Sequence, residues 1–262
     1  MTDCYYRRLP ADGDVQVFES THATASNWDP SIQHGSPPLA LLTKLIEEQA
    51  AGTGLRVGRL LLDILGAIPV APVRARAWVV RPGKRIALMA AELAPVADPA
   101  RPVARVQAWL LAPSDTADIA TDRHPPLTEG ECDAEPHAWA GATGYLDSVS
   151  WRRQRGEDAG AAVAWFSPLI PLVDSEDVTD LQRLAMVVDS ANGVGAAVDP
   201  SAFVFMNTDT AVHLHRLPRG NDFAVRSRGS IGPDGIGVTT AEIFDRDGFI
   251  GTSAQTLLVQ RR

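Results

Sequence analysis

Two stretches of the chain carry apolar residues at helical spacing. The first covers residues 36–48, where Ser36 suits the N-cap and Pro37 suits the first helical position. The second covers residues 181–193, and Asp189 lies within its apolar stripe, where a core helix would carry another aliphatic side chain. We therefore predict two helices, of which the second presents a carboxylate on its buried face.

Each predicted helix is followed by several segments with the length and composition of strands. Turn residues separate most of these segments, for example at Pro82-Gly83 and over residues 245–248. The predicted strands cover residues 15–18, 55–65, 73–81, 85–93, 103–111, 161–173, 203–215, 223–229, 237–244 and 252–260. Because short turns join consecutive strands as hairpins, the pattern indicates antiparallel sheet.

The two halves of the chain match each other. The stretch that ends in Lys44 aligns with the stretch that ends in Asp189, and Gln107 aligns with Gln255. Between these points the order of helix and strands is the same in both halves. The match predicts an internal duplication of one helix with its antiparallel strands.

A stretch with little periodicity separates the two repeats. Residues 113–160 are rich in Pro, Asp, Glu, Gly and His, which is typical of a linker. We therefore predict an N-terminal repeat over residues 1–112, a linker over 113–160 and a C-terminal repeat over 161–262.

Composition narrows the classes of partner and compartment. The chain has 262 residues, a net charge of -8 and a pI of about 5.2, which disfavours binding to a nucleic-acid backbone. It has no run of 18 apolar residues and no signal-peptide pattern at its start, so we expect no membrane span. The distant cysteines Cys4 and Cys132 favour neither a disulfide nor a metal framework and fit a reducing cytoplasm.

With these elements the chain resembles the acyl-CoA thioesterase II family and its thioesterase-like relatives. The resemblance spans nearly the whole chain and is carried by the His34-Gly35 helix start, the Asp189 helix, residues 207–216 and the ending Gly251-Thr-Ser-Ala-Gln255. It implies an α+β double hot-dog fold, in which two helix-plus-antiparallel-sheet repeats share a merged sheet. It also implies hydrolysis of an acyl-CoA thioester to a free acid and CoA.

The same resemblance implies which side chains act. The family has a helical Asp, a hydroxyl on the following strand and a Gln on the last strand, which together hold a water. In this sequence the matching positions are Asp189, Asn207 and Gln255. Asn207 departs from the family, which has Thr there, and Thr208 would point to the opposite face of the sheet. A thioester carbonyl needs only a water and a general base, and we expect Asp189 to be that base.

Main-chain N–H groups at the start of the first helix are expected to meet the developing oxyanion. Two helices packed as a pair bring His34 and Gly35 close to Asp189, and Gly35 lets an acyl chain approach the backbone closely. The pseudo-symmetric position in the first repeat has Lys44 and Gln107, and Lys44 cannot replace the carboxylate. We therefore predict one active site in each chain.

Two other functions remain open. Hot-dog enoyl-CoA hydratases carry an Asp and a His near the helix start, and Asp29 and His34 have this spacing, although the usual Asn-Pro between them is missing. A protein that binds an acyl thioester without hydrolysing it is also open, because Asn207 stands at the Thr position and a fold does not fix a function. His213 and His215 share a strand face but lack a third ligand, so we expect no metal and no cofactor.

An acyl-CoA substrate requires cationic partners for its phosphates. The candidates in the sequence are arginines on or beside predicted strands, namely Arg74, Arg76, Arg81, Arg216, Arg219, Arg226 and Arg228. Arginines at strand edges also serve to deter edge pairing, so either role fits them. The resemblance further implies that chains associate, and we expect a homodimer or a higher homo-oligomer.

Overall fold

One antiparallel sheet runs through the described part of the chain, which comprises residues 4–11, 13–132, 143–156, 158 and 160–262 of the computed structural model. Its thirteen strands are β1 (Tyr6–Leu9), β2 (Gln16–Ser20), β3 (Arg56–Ile64), β4 (Pro72–Arg81), β5 (Ile86–Pro95), β6 (Ala104–Leu111), β7 (Val149–Arg153), β8 (Ala162–Pro168), β9 (Phe203–Asn207), β10 (Asp209–Leu214), β11 (Phe223–Ile231), β12 (Ile236–Asp245) and β13 (Gly248–Arg261). Its α-helices are α1 (Ser36–Ala50), α2 (Asp180–Ala185) and α3 (Ala191–Val194). No helix in these residues is long and apolar enough to cross a membrane.

The order of the strands divides the sheet into two halves. It runs β1-β2-β4-β5-β6-β3-β10-β13-β12-β11-β8-β7, with β9 also beside β13. Strands β1 to β6 therefore form one half and β7 to β13 the other, and the halves meet where β3 pairs with β10. At this junction Asp63 pairs with Asp209, and Leu61 pairs with Ala211. The predicted merger of two helix-plus-sheet repeats in one sheet is confirmed.

The first predicted helix is confirmed as α1, which lies on β4, β5 and β6. Its residues from Ser36 to Ile46 are buried, and the helix becomes exposed only in its last turn. Pro37 and Pro38 occupy the first turn, where an N–H group has no helical partner. The predicted N-cap role of Ser36 is wrong, because its side chain makes no capping hydrogen bond. Instead, the imidazole of His34 accepts the Ser36 N–H at 3.1 Å.

The second predicted helix is wrong as a single element. Instead of one helix over residues 181–193, the chain forms α2, a short 3₁₀ turn and α3. The break is stabilised from outside. The Met186 carbonyl accepts a hydrogen bond from the Tyr145 hydroxyl at 2.9 Å, and the Asp189 carbonyl accepts one from Gln255 Nε2 at 2.9 Å. Because both donors are distant in sequence, helical periodicity alone does not reveal the break.

The single strand predicted over residues 203–215 is divided into β9 and β10 by a β-bulge at Thr208. Across this bulge the partner residues on β13 shift by one position. In a regular strand Asn207 and Thr210 would point to opposite faces of the sheet. The extra residue brings both side chains to the same face, where both contact Asp189.

Two short strands at the ends of the sheet are missing from the sequence predictions. β1 pairs with β2, and β7 pairs with β8 although it lies in the stretch predicted as a linker. Residues 133–142 of that stretch lie outside the described residues. The division of the chain at residues 112 and 161 stays a prediction.

Candidate active site

A cavity of about 280 Å³ lies where the start of α1 meets the break between α2 and α3. Its walls come from both halves of the chain, since the loop before α1 and the segment after β3 line it together with the helix break and β9. Four of the residues predicted for the site line it, namely His34, Gly35, Asp189 and Asn207, and Gln255 lies behind them. The apolar lining includes Trp28, Ile32, Ile64, Leu146, Trp151 and Phe205.

Asp189 is buried, with 2% of its surface exposed, and donors surround one of its carboxylate oxygens. Oδ1 accepts hydrogen bonds from Asn207 Nδ2 at 2.7 Å, from Gln255 Nε2 at 3.3 Å and from the hydroxyl of Thr210. These donors compensate a negative charge that is removed from water, and they fix the orientation of the carboxylate. The second oxygen, Oδ2, faces the start of α1.

Thr210 is a site residue that the sequence prediction missed. Its hydroxyl donates to Asp189 Oδ1 and lies within hydrogen-bond distance of Asn207 Nδ2, at 3.1 Å, and of Gln255 Nε2, at 3.0 Å. The hydroxyl expected at position 207 is therefore supplied by position 210, and Asn207 adds an amide beside it. The signal in the sequence is the run Asn207-Thr-Asp-Thr210, in which either hydroxyl qualifies until the bulge at Thr208 is known.

His34 presents a neutral imidazole beside Asp189. Its Nδ1 accepts the Ser36 N–H at 3.1 Å, so the ring proton lies on Nε2. Burial lowers the pKa of His34, and the nearby Asp189 carboxylate only partly opposes this effect. Nδ1 lies 3.7 Å from Asp189 Oδ2, but without a proton on Nδ1 this approach is not an ion pair. The Nε2–H has no hydrogen-bond acceptor within the described residues.

Gly35 occupies a position with no room for a side chain. A Cβ there would lie 2.8 Å from Asp189 Cγ and closer still to Oδ2. The first turn of α1 also has few free main-chain donors, because Pro37 and Pro38 lack an N–H and Ser36 gives its own to the imidazole. Within the described residues the Gly35 N–H has no acceptor, so it is the donor that remains free at this helix start.

Tyr145 ties the two sides of the site together. It belongs to a 3₁₀ turn at Gly144–Ser148, in the predicted linker, and is completely buried. Its ring stacks on His34, with centroids 3.9 Å apart and 8° between the planes. Its hydroxyl donates to the Met186 carbonyl at 2.9 Å and lies 2.9 Å from Ser190 Oγ. Burial raises the pKa of Tyr145, so the hydroxyl stays protonated and remains a hydrogen-bond donor. Tyr145 therefore links the imidazole, on which its ring stacks, to the break between α2 and α3, to which its hydroxyl donates.

Asp29, the predicted acid–base partner of His34 in a hydratase, lies outside the cavity lining. Its carboxylate accepts hydrogen bonds from the N–H and the hydroxyl of Ser31, at 2.8 and 2.7 Å. These local bonds lower the pKa of Asp29. The structure therefore does not bring Asp29 and His34 together as an acid–base pair.

An ion-pair cluster surrounds Lys44, which aligns with Asp189 in the first repeat. Lys44 Nζ lies 3.0 Å from Glu176 and 3.3 Å from Glu48. Arg8 Nε lies 2.6 Å from Glu176, and this hydrogen bond, together with that from Lys44, lowers the pKa of Glu176 to about 2. Both carboxylates of the cluster are thus paired with cations.

The predicted match of Gln107 to Gln255 is wrong. When the two halves are aligned on Glu92 and Glu242, the register of the strands brings Ala108 to the position of Gln255. Ala108 is buried like Gln255, whereas Gln107 points to the other face of its strand. The first repeat therefore lacks both the carboxylate and the amide of the second.

In the part of the chain that the structure describes, no group of three or more His, Cys, Asp or Glu side chains is arranged to hold a metal ion. His213 and His215 are both exposed and belong to no such group. The polar chemistry of the cavity therefore comes from the carboxylate, the amides, the hydroxyl and the imidazole already described.

Several solved structures share this fold at low sequence identity. A protein assigned as a thioesterase II from Thermobifida fusca is 14% identical, with a TM-score of 0.77 over 98% of this chain and 96% of its own. A protein of unknown function with a hot-dog fold from Alicyclobacillus acidocaldarius is 15% identical, with a TM-score of 0.71 over 96% and 95% of the two chains. The acyl-CoA thioesterase II TesB2 from Mycobacterium marinum is 12% identical, with a TM-score of 0.70 over 97% and 96%. These likenesses confirm the predicted double hot-dog fold.

Family membership follows from the sequence itself, although a comparison with curated proteins gave no match. The sequence model of the acyl-CoA thioesterase N-terminal domain matches residues 24–111, and that of the acyl-CoA thioesterase C-terminal domain matches residues 113–259. The two matches together cover most of the chain, in the order of its two repeats. The chain therefore belongs to the acyl-CoA thioesterase family and is a thioester hydrolase.

Proposed function

We propose that the protein hydrolyses an acyl-CoA thioester to a free acid and CoA, with Asp189 as the general base that activates a water. The asymmetric surroundings of its carboxylate carry this proposal. Oδ1 is occupied by donors from Asn207, Thr210 and Gln255, whereas Oδ2 faces the start of α1. One oxygen is anchored, and the other is available to take a proton.

The side chains around Oδ1 act on the carboxylate. Asn207 and Gln255, for which we predict contact with the water, use their amide nitrogens to bind Oδ1. We therefore assign them, with Thr210, to holding Asp189 in the orientation that attack requires. Such positioning matters because a misplacement of about 1 Å can cost about 100-fold in rate.

The reaction needs no covalent intermediate with the protein. A water between Oδ2 of Asp189 and the thioester attacks the carbonyl carbon, and Oδ2 takes the proton that the water loses. The tetrahedral intermediate then collapses with cleavage of the carbon–sulfur bond. The thiolate of CoA leaves and takes the proton back from Oδ2 of Asp189, which regenerates the carboxylate, and the acyl group departs as the acid.

We assign the oxyanion of that intermediate to two donors at the start of α1, the Gly35 N–H and the His34 Nε2–H. Neither has an acceptor within the described residues, and the positive end of the α1 dipole adds to their effect. A neutral imidazole suits this role, because it keeps one N–H without adding a charge that would pair with Asp189.

The apolar lining supports an acyl group as the part of the substrate that enters the cavity. Aromatic and aliphatic side chains such as Trp28, Ile64 and Phe205 dominate its wall. A volume of about 280 Å³ lies just below the usual range for ligand pockets, which is roughly 300–1,000 Å³. The cavity therefore suits the acyl group and thioester and leaves the nucleotide end of CoA outside.

The decisive experiment compares Asp189→Asn with Lys44→Met in a thiol-release assay. Lys44 aligns with Asp189 in the other repeat and lies outside the cavity lining, so its variant is a matched control. We expect kcat to fall about 10²- to 10⁴-fold in Asp189→Asn, the usual contribution of a general base, and to change little in the control. Full activity in folded Asp189→Asn protein would overturn the assignment.

The same assay separates hydrolysis from the two other functions. A protein that only binds acyl thioesters would release no thiol at any acyl-chain length, although calorimetry would still detect binding. A hydratase would add water to an enoyl-CoA double bond without releasing CoA. We expect thiol release from saturated acyl-CoA, which neither of these alternatives produces.

A further inference from the structure

The phosphates of an acyl-CoA must lie outside the cavity, because about 280 Å³ does not hold the nucleotide as well as the acyl group. We propose that Arg101 and Arg262, on opposite walls at the mouth of the cavity, bind these phosphates. This inference rests on the proposed acyl-CoA substrate.

Several of the arginines that the sequence suggests for this role already have carboxylate partners in the protein. An arginine held by a carboxylate has fewer free donors for a phosphate. The paired ones form Arg76–Glu92, Arg216–Asp245, Arg219–Asp247 and Arg226–Glu242.

Arg101 stands beside the wall formed by the segment after β3. Its Nη2 would lie 3.8 Å from a Cβ built on Gly66, and Gly66 lines the cavity. Arg101 is exposed, belongs to the turn between β5 and β6, and forms no ion pair with a carboxylate of the described residues. Its guanidinium is therefore free to bind an anion beside this wall.

Arg262 stands beside the other wall, directly after β13. Its guanidinium carbon lies 5.7 Å from the ring centroid of Trp28, which lines the cavity and packs edge-on against Phe205 of β9. Its Nε donates to the Pro200 carbonyl at 2.9 Å, which holds the side chain in place. The terminal nitrogens of the guanidinium have no acceptor in the described residues, so they can bind a phosphate.

The strand order supports the view that both arginines flank one opening. Since β3 and β10 are antiparallel neighbours, the segment after β3 and the strand β9 leave their junction in the same direction. The cavity lies between them, with Gly66 in one wall and Phe205 and Met206 in the other. A pantetheine arm that leaves through this opening carries its phosphates past both guanidinium groups.

The chemistry of the two side chains fits phosphate. A guanidinium presents paired N–H donors that match two phosphate oxygens, and its charge does not depend on pH in the working range. The protein has a net charge of -8, which repels the phosphates of CoA. Two arginines without carboxylate partners at the mouth of the cavity would make the electrostatic potential there more positive and so favour phosphate binding. Exposed pairs of this kind contribute about a fivefold change in affinity each.

The test compares Arg101→Ala, Arg262→Ala and the double variant with Arg219→Ala, which alters an exposed arginine away from the cavity. Each protein is assayed with an acyl-CoA and with the same acyl group on pantetheine, which lacks phosphates. We expect KM for acyl-CoA to rise about fivefold in each single variant and about 25-fold in the double variant, with kcat unchanged. KM for acyl-pantetheine should stay the same, and high salt should remove the difference between the proteins.

Two results would overturn the inference. Equal increases of KM for both substrates would mean that the arginines shape the cavity, and unchanged KM values would mean that they do not contact the phosphates. If the wild-type protein releases no thiol from any acyl thioester, the proposed function fails instead. Calorimetry with free CoA then still decides the role of the arginines, since weaker binding by the double variant supports it and equal binding refutes it.

Discussion

The contact between Gly35 and Asp189 gives the sharpest test of the proposed geometry. The backbone of Gly35 has φ -67° and ψ -26°, which any residue adopts, so alanine would introduce no backbone strain. Its Cβ would, however, lie 2.8 Å from Cγ and 3.1 Å from Oδ1 of Asp189, whereas ordinary contact begins at 3.4 Å. Neither partner moves easily, because Gly35 is held at the start of α1 and Oδ1 is held by its donors. The carboxylate must therefore shift by on the order of 1 Å.

We expect Gly35→Ala to lower kcat about 100-fold, the typical effect of a shift of this size. The variant should nevertheless fold. Replacing glycine by alanine in a compatible conformation stabilises a protein by about 0.4–1 kcal/mol through the unfolded state, while crowding in a packed site costs about 1–3 kcal/mol. The net loss of about 0–2.5 kcal/mol should lower the melting temperature by only several degrees.

Gly193→Ala is the matched control for this experiment. Gly193 lines the same cavity, but a Cβ there would meet no atom within 4 Å. Its kcat should stay within about twofold of the wild-type value, measured by thiol release at a temperature where all three proteins are folded. If folded Gly35→Ala protein keeps a wild-type kcat, the position of the Asp189 carboxylate does not matter for the reaction, and the general-base proposal loses its basis.

Three further predictions concern the neighbours of Asp189. Thr210→Val removes one donor to the Asp189 carboxylate, so kcat should fall about 10- to 100-fold, and Thr210→Ser should keep most of the wild-type kcat. Unchanged steady-state kinetics in Thr210→Val would contradict a role of this hydroxyl in holding the carboxylate. Tyr145→Phe keeps the ring stack but loses the hydrogen bond to Met186. The free energy of unfolding in urea should therefore fall by about 1–3 kcal/mol, and kcat should fall with KM unchanged. A loss of stability without a loss of kcat would mean that Tyr145 does not position the site. Burial holds the pKa of His34 in the folded protein below 6.5, its ordinary value. Between these two pKa values the unfolded chain binds more protons at His34 than the folded protein does. The contribution of His34 to stability is therefore lost as the pH falls through the folded-state pKa. The decrease in unfolding free energy between about pH 7 and 5 should therefore be smaller in His34→Gln than in the wild type, and an equal decrease would argue against a buried neutral imidazole.

The overall fold follows largely from local sequence patterns. β13 alternates buried and exposed residues along most of its length, and α1 buries almost all of its first three turns, so both stand out. Short turns then lead to the hairpins β4–β5 and β12–β13. β1 and β7 are missing from the prediction. Both lie at the ends of the sheet, and β7 falls in a stretch whose Pro, Asp, Glu, Gly and His content indicates a linker.

The detailed site depends on features that have no local signal. A bulge is visible only against the partner strand, so the sequence leaves Thr210 on the wrong face and directs attention to position 207. An alignment error of one residue likewise moves a side chain to the opposite face of a strand. The sequence alone matches Gln107 to Gln255, whereas the register of the strands matches Ala108 to it. The break beside Asp189 depends on the hydroxyl of Tyr145, more than 40 residues earlier in the chain.

The packing of the two repeats gives a physical reason to expect one such site in the described part of the chain. The start of α1 has a free N–H beside Asp189, whereas the start of α2 is closed, since Thr179 Oγ1 and Gln182 Nε2 donate to Glu47 at 2.9 and 2.6 Å. Next to Glu47, Lys44 is held in ion pairs. Replacing Lys44 by aspartate would therefore not create a second site, because the new carboxylate would lie beside other acidic groups and a helix start whose side-chain donors are already bound to Glu47.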